Sequence, residues 1–217
     1  MPNPGTVIVL NGPSAAGKSS IQREIQDSFE QPYLATGIDQ LMLHMVPDRY
    51  LLQDVPDKKQ VLWTDTTKDA QGAPLHRVHF GPKGYRFLDG MHHTIRSLAL
   101  CGNNVVVDYL AFEQPWLPRL AGVLDGLRAY LVGVHAPLSV LEERATSRPY
   151  PAGTARAHYE VVHKHGIYDL ELDTSVLSIK ECADAIRELI HRQENPTAFE
   201  RLRSRFAKMP EASALGR

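Results

Sequence analysis

The sequence predicts a doubly wound α/β fold, a parallel sheet flanked by helices, and three observations carry the prediction. Short apolar, β-branched runs alternate with longer segments of helical periodicity. The first run, Thr6-Val7-Ile8-Val9-Leu10, leads into Gly12-Pro13-Ser14-Ala15-Ala16-Gly17-Lys18-Ser19, which fits G-x-x-x-x-G-K-[ST]. A helical pattern opens at Lys18, so strand, glycine loop and helix stand in the order that a phosphate-binding loop requires. The class expected is therefore the P-loop NTPase type, with a substrate-side insertion and a lid near the C-terminal edge of the sheet, where open parallel sheets place ligands.

Each element follows in turn. Lys18 to Phe29 reads as a helix with Ile21, Ile25 and Phe29 on one face. Tyr33 to Thr36 reads as the second strand, and Gln40 to Met45 as a short helix. Residues 46–82 break the alternation with Pro47, Pro56, Pro74 and Pro82. They hold two β-like pieces, 61–63 and 76–80, separated by an Asp69-Ala70-Gln71-Gly72 turn, which together predict a hairpin. A connection this long is read as an insertion facing the substrate. Lys83 to Leu100 is a helix, with Leu88, Met91, His92, Ile95, Leu98 and Ala99 recurring at near-helical spacing, and Gly102-Asn103-Asn104 ends it. Strands follow at 105–108 and 128–134, and Pro137 opens a helix carrying Leu138, Leu141 and Ala145. Residues 147–157, rich in Pro, Gly and Arg, are expected to be a mobile lid. Tyr168 to Thr174 alternates as a strand, and Ser178 caps a helix to about Arg192 with Glu181 in the capping-box position. The organisation expected is one domain over 1–195, with the insertion at 46–82 and the lid at 147–157. A helical tail, 196–217, follows, with one amphipathic helix at 196–208.

The loop supplies the chemistry. Its glycines let backbone N–H groups turn toward phosphate oxygens, and the helix N-terminus adds partial positive charge. The cofactor-binding set is Gly12, Pro13, Ser14, Ala15, Ala16, Gly17, Lys18, Ser19 and Ser20, and the ligands expected are ATP and Mg²⁺. Lys18 reaches the β- and γ-phosphates, and the Ser19 hydroxyl meets the metal. Asp108, at the end of the 105–108 strand, is the second metal-side residue, with helix capping as the competing role. Asp39 follows the second strand on the same rim and could accept a hydroxyl proton, or cap the helix from Gln40. Arg144, Arg148 and Arg156 surround the lid, where guanidinium forks could neutralise a transferring phosphoryl group or simply lie on a solvated helix face.

At these residues the chain resembles the chloramphenicol phosphotransferase family of P-loop kinases. The resemblance runs through the loop, Gly37-Ile38-Asp39-Gln40-Leu41, Gly81-Pro82 with Arg86, Val106-Val107-Asp108 and Val132-Gly133-Val134. It continues with Glu143-Arg144 and Arg148, Val161-Val162-His163 and Leu172-Asp173-Thr174, covering roughly residues 6–190. It implies an ATP-dependent kinase acting on the hydroxyl of a small molecule, with Asp39 as base and a chloramphenicol-like antibiotic as the acceptor expected of the family. Tyr109 departs from the pattern, since a second acidic residue can follow Asp108 in the family, and the 46–82 insertion is read as longer than its counterpart. The readings weighed against it are a kinase of a nucleotide sugar, nucleoside or nucleic-acid end, and a non-catalytic nucleotide switch.

Composition excludes several classes. With 24 basic and 25 acidic residues the net charge is −1, which argues against a general nucleic-acid surface. No apolar run approaches a membrane span, and the first residues lead directly into a strand, so a cytoplasmic protein without a leader is expected. Cys101 and Cys182 are read as inert thiols on helices. The 10 histidines lack a zinc spacing and are read as surface or site-lining residues. Oligomeric state stays open, a homo-oligomer included.

Overall fold

The computed structural model describes residues 3–50, 59–113, 116–148, 150–164, 166–192 and 195–207. Its centre is a five-stranded sheet of β1 (Val7–Asn11), β2 (Tyr33–Gly37), β5 (Asn104–Tyr109), β6 (Ala129–His135) and β7 (Leu170–Asp173). The spatial order is β2-β5-β1-β6-β7 and every pairing is parallel. β1 is buried along its whole length, because its alternate residues enter two different cores. Val7 and Val9 join Val105, Val107 and Leu131 on one face. Ile8 and Leu10 join Val106, Val132 and Val134 on the other.

Helices cover both faces. On the Ile8 side lie α1 (Lys18–Ser28) and α7 (Ile179–His191), with Ile21, Ile25, Cys182 and Ile186 buried. Gln22 locks α1 to the sheet by donating to the carbonyls of Thr36 (2.8 Å) and Val106 (2.9 Å). The expected capping box on α7 is present, with Ser178 and Glu181 bonding reciprocally. On the Val7 side lie α3 (Pro82–Leu100), α4 (Trp116–Val123) and α8 (Ala198–Phe206), with Leu88, Trp116, Leu120, Phe199 and Leu202 buried together. The helix expected in the tail thus packs into the same core as the sheet; the rest of that tail, 208–217, lies outside the described residues. Sequence periodicity missed α4, whose Pro118 and Gly122 look like breakers; Pro118 is the third helical residue, where its absent N–H costs no helical bond.

The insertion folds as the predicted hairpin, with strands longer than the two short pieces expected. β3 (Leu62–Lys68) and β4 (Pro74–Phe80) pair antiparallel as a separate two-stranded sheet. Asp69 closes its turn, its Oδ1 accepting from the backbone of Gln71 (2.9 Å) and Ala73 (2.8 Å). Residues 51–58 of the insertion lie outside the described residues. A lone hairpin is marginal in water, and this one is braced by α6 (Thr154–Tyr159), a helix that begins within the stretch read as mobile and runs past its end. The backbone N–H of His76 donates to the Gly153 carbonyl (3.3 Å). Gly153 is at φ 89°, and a Cβ there would sit 2.3 Å from the Pro74 carbonyl oxygen, so a side chain would push hairpin and α6 apart. Arg156 bridges the Asp69 (3.0 Å) and Glu142 (2.7 Å) carboxylates, joining the hairpin turn, α6 and α5 (Leu138–Ala145).

Two readings are corrected. The short helix after β2 starts earlier than expected, α2 spanning Ile38–Met45. Gly37 occupies its N-cap position and Asp39 sits inside the first turn, so Asp39 does not cap it. The histidines are not all surface or site-lining: His92 is fully buried in the Val7-side core, its Nε2 2.9 Å from the Tyr109 hydroxyl. His165 lies outside the described residues. Cys182 is buried on α7 and Cys101 is exposed just after α3. No described helix is long and apolar enough to cross a membrane.

Candidate active site

The parallel register gathers the chemistry on one rim. Leu10 and Gly37 both sit opposite Asp108, so the phosphate-loop entrance, the start of α2 and the carboxylate share the C-terminal edge of the sheet. The loop turns through two left-handed residues, Ala15 at φ 67° and Gly17 at φ 95°. Gly17 tolerates this conformation freely, whereas Ala15 holds it under strain, as anion-cradling loops do. Gly12 lies tight on the Val134 carbonyl, where a Cβ would come within 2.3 Å. Thr174 pins the loop from behind, donating to the Ala16 carbonyl (2.9 Å). No acidic residue occupies the first turn of α1, which leaves its positive end free for an anion.

Lys18 is buried to 7% exposure. Its Nζ donates to the Pro13 carbonyl (2.9 Å) and lies 3.5 Å from Asp108 Oδ1. The Ser19 hydroxyl donates to Asp108 Oδ2 at 2.6 Å. These two adjacent hard oxygen donors beside an anion cradle suit Mg²⁺, which takes few protein ligands and completes its shell with phosphate oxygens and water. Among the described residues no group of three or more His, Cys, Asp or Glu side chains is placed to hold a metal ion.

A cavity of about 480 Å³ opens over this rim. Ser14, Ala15, Gly17, Lys18, Ser19, Asp39 and Asp108 line it, together with Arg148 and Tyr150. Most of the remaining wall is apolar, from α2 (Ile38, Met42, Leu43), the hairpin (Leu62, Val78, Phe80) and the segment after β5 (Leu110, Phe112). A second cavity of about 470 Å³ lies behind the loop, lined by Ser20, Arg144, Arg148 and Leu177 among others. The predicted arginines therefore part company. Arg148 borders both cavities, Arg144 borders only the second, and Arg156 is held in the brace described above. Arg144 is itself engaged, donating to Thr174 Oγ1 (2.9 Å) and the Thr174 carbonyl (2.8 Å).

Three functional candidates escaped the sequence. Tyr150 donates its hydroxyl to Asp39 Oδ2 at 3.2 Å, and its phenol is pushed up to about 12, first by burial and then by the Asp39 charge. Thr174 reached the sequence reading only as part of a strand. His158 lines the larger cavity at 6% exposure and stacks on Phe112, ring centroids 5.4 Å apart. Neither of its ring nitrogens has a hydrogen-bond partner among the described residues. Burial and then the Lys18 charge hold it down at about 3, so it is a neutral imidazole. Nothing local marked these residues: each gains its role from a contact made across a long sequence separation.

The sequence pattern of the family described as chloramphenicol phosphotransferase-like protein matches residues 5–191. Proteins from two Mycobacterium tuberculosis strains, CDC 1551 / Oshkosh and ATCC 25618 / H37Rv, each named as a proposed O-phosphotransferase, are 30% identical over 207 residues, 93% of this chain and 89% of theirs. Among solved structures, the APS kinase of Mycobacterium tuberculosis in complex with AMPPNP and APS superposes with a TM-score of 0.58 at 21% identity, over 88% of this chain and 99% of that one. The tunicamycin resistance protein of Deinococcus radiodurans gives a TM-score of 0.58 at 16% identity, over 86% and 95%. Shikimate kinase from Acinetobacter baumannii gives 0.53 at 13%, over 88% and 94%. At these identities the structural likeness establishes the fold.

Proposed function

This chain belongs to the chloramphenicol phosphotransferase-like family, and we propose that it transfers the γ-phosphoryl group of ATP to the hydroxyl of an uncharged, largely apolar small molecule, chloramphenicol-like antibiotics being the first candidates. One observation carries the reading: Lys18, Ser19, Asp108 and Asp39 border a single cavity whose other walls are mainly apolar. Among the described residues Lys18 and Arg148 are the only Lys or Arg side chains lining it, which suits a triphosphate better than a second polyanion. That favours an uncharged alcohol over a nucleotide sugar or a nucleic-acid end.

In the proposed mechanism the loop amides and Lys18 hold the phosphates. Lys18 leaves the Pro13 carbonyl to do so. Ser19 and Asp108 would hold Mg²⁺, which when bound neutralises phosphate charge. The acceptor lies along the apolar wall with its hydroxyl on Asp39. The acceptor oxygen attacks the γ-phosphorus, the bond to the β–γ bridging oxygen breaks with its electron pair leaving on ADP, and the hydroxyl proton passes to Asp39. Arg148, between the two cavities, faces the transferring group. Arg144, with Ser20, borders the nucleotide side and holds the loop through Thr174. Phosphoryl transfer needs positioning and charge stabilisation more than covalent help, so a preformed rim suffices.

The test is ATP consumption by the purified protein with Mg²⁺, with and without chloramphenicol, and mass spectrometry of the product. A phosphorylated product whose formation falls by about 10²–10⁴-fold in Asp39→Ala is expected, the usual contribution of a general base. Turnover unaffected by Asp39→Ala would remove Asp39 from the mechanism. Absence of product with ATP still bound would reject this acceptor.

A further inference from the structure

The contact that Tyr150 makes is the one an acceptor must make. A hydroxyl donating to a carboxylate oxygen of Asp39 is what the reaction requires of the alcohol, and the tyrosine already provides it, at 3.2 Å. Tyr150 comes from the segment between α5 and α6, which also carries Arg148. We propose that Tyr150 stands in for the acceptor hydroxyl at Asp39, so that an alcohol bound in the cavity displaces it while water does not, making the site a transferase rather than an ATPase. The inference rests on Asp39 being the base.

The physical argument is one of competition. Tyr150 is tethered within reach of Asp39, and its hydrogen bond is made to a charged oxygen, the stronger kind. Water arriving alone gains nothing that Tyr150 does not already supply. An acceptor also buries apolar surface against Met42, Leu62, Val78 and Phe80, and that remote binding energy can drive the exchange. The phenol stays a protonated donor at neutral pH, since burial and the Asp39 charge hold its proton on. In the reaction that the contact suppresses, a water oxygen attacks the γ-phosphorus, the bond to the bridging oxygen breaks onto ADP, and a water proton passes through Asp39 to solvent. The products are ADP, inorganic phosphate and a proton.

The experiment measures release of inorganic phosphate from Mg·ATP without acceptor by the wild-type chain, Tyr150→Phe and Tyr150→Phe/Asp39→Asn. Tyr150→Phe keeps the ring and removes the hydroxyl; its thermal midpoint and its binding of AMPPNP are measured in parallel. Hydrolysis is expected to rise about tenfold in Tyr150→Phe, the size of a lost hydrogen bond to a charged group at a half-open site. It should return to the wild-type rate in the double variant. No rise, or a fall, would overturn the proposal and leave Tyr150 as a residue that only orients Asp39. A rise that persists in the double variant would overturn it too, because the water would then not be using Asp39. Since no acceptor is added, failure of chloramphenicol as substrate cannot be mistaken for failure of this proposal.

Discussion

Replacing His158 by Phe should make the protein more stable, and increasingly so toward acid. The ring would keep its parallel stack on Phe112 and lose two buried nitrogens that have no hydrogen-bond partner among the described residues. Removing unsatisfied buried polar groups without changing shape is worth on the order of 2 kcal/mol. The second part comes from proton linkage. The imidazole is held at about 3 in the folded chain against 6.5 ordinarily. With the folded value depressed, the unfolded chain takes up the proton first as pH falls below 6.5. The stability associated with the neutral ring is therefore complete above that value and is lost progressively toward pH 3. At pH 5 the loss is about 2 kcal/mol, from 1.5 units at about 1.36 kcal/mol each. Urea denaturation of wild type and His158→Phe at pH 7 and pH 5 reads both parts. The variant's midpoint should be higher at pH 7, and the gap should widen by about 2 kcal/mol at pH 5. A variant less stable at pH 7, with the gap unchanged at pH 5, would refute the reasoning and show that the ring nitrogens have a partner in solution.

Two further outcomes follow from the geometry. Asn11→Ala should cost about 3–5 kcal/mol: the fully buried amide donates to the Val162 carbonyl and the Tyr168 hydroxyl and accepts from the Ala111 N–H, so truncation orphans groups on three segments. Chemical denaturation at pH 7 measures it. Lys18→Met should leave the fold intact, because the side chain is unbranched and buried, while the proposed role of its charge at the phosphates predicts AMPPNP binding weakened by at least about tenfold; calorimetric titration decides it.

How much was legible depends on whether a residue's role is local. The turn of the glycine loop could be read because it is a property of eight consecutive residues, whose glycine spacing dictates the backbone conformation. The central strands β1, β5 and β6 could be read because both of their faces are buried, which forces continuous apolar runs, whereas the edge strand β7 was legible from its alternation. The α7 cap was legible for the same local reason. α4 was not, because Pro118 and Gly122 count against a helix by propensity, and packing of Trp116, Leu117 and Leu120 into the core overrides that weak preference. The start of α2 was misplaced because Asp39 is a favoured cap residue, and only the backbone shows Gly37 in the cap position.

The sequence by itself determined the fold class, the anion cradle and the carboxylates at the ends of two strands, since each depends on neighbours along the chain. Tertiary structure decided which arginine faces which cavity, that Arg156 braces the hairpin, that His158 is sealed in a cavity wall, and that Tyr150 sits on Asp39, 111 positions away. These depend on how the segment between α5 and α6 docks on β4, a contact set by Gly153, Asp69 and Arg156 acting together. No local spacing encodes such a contact, because its strength lies in groups that only folding brings within bonding distance.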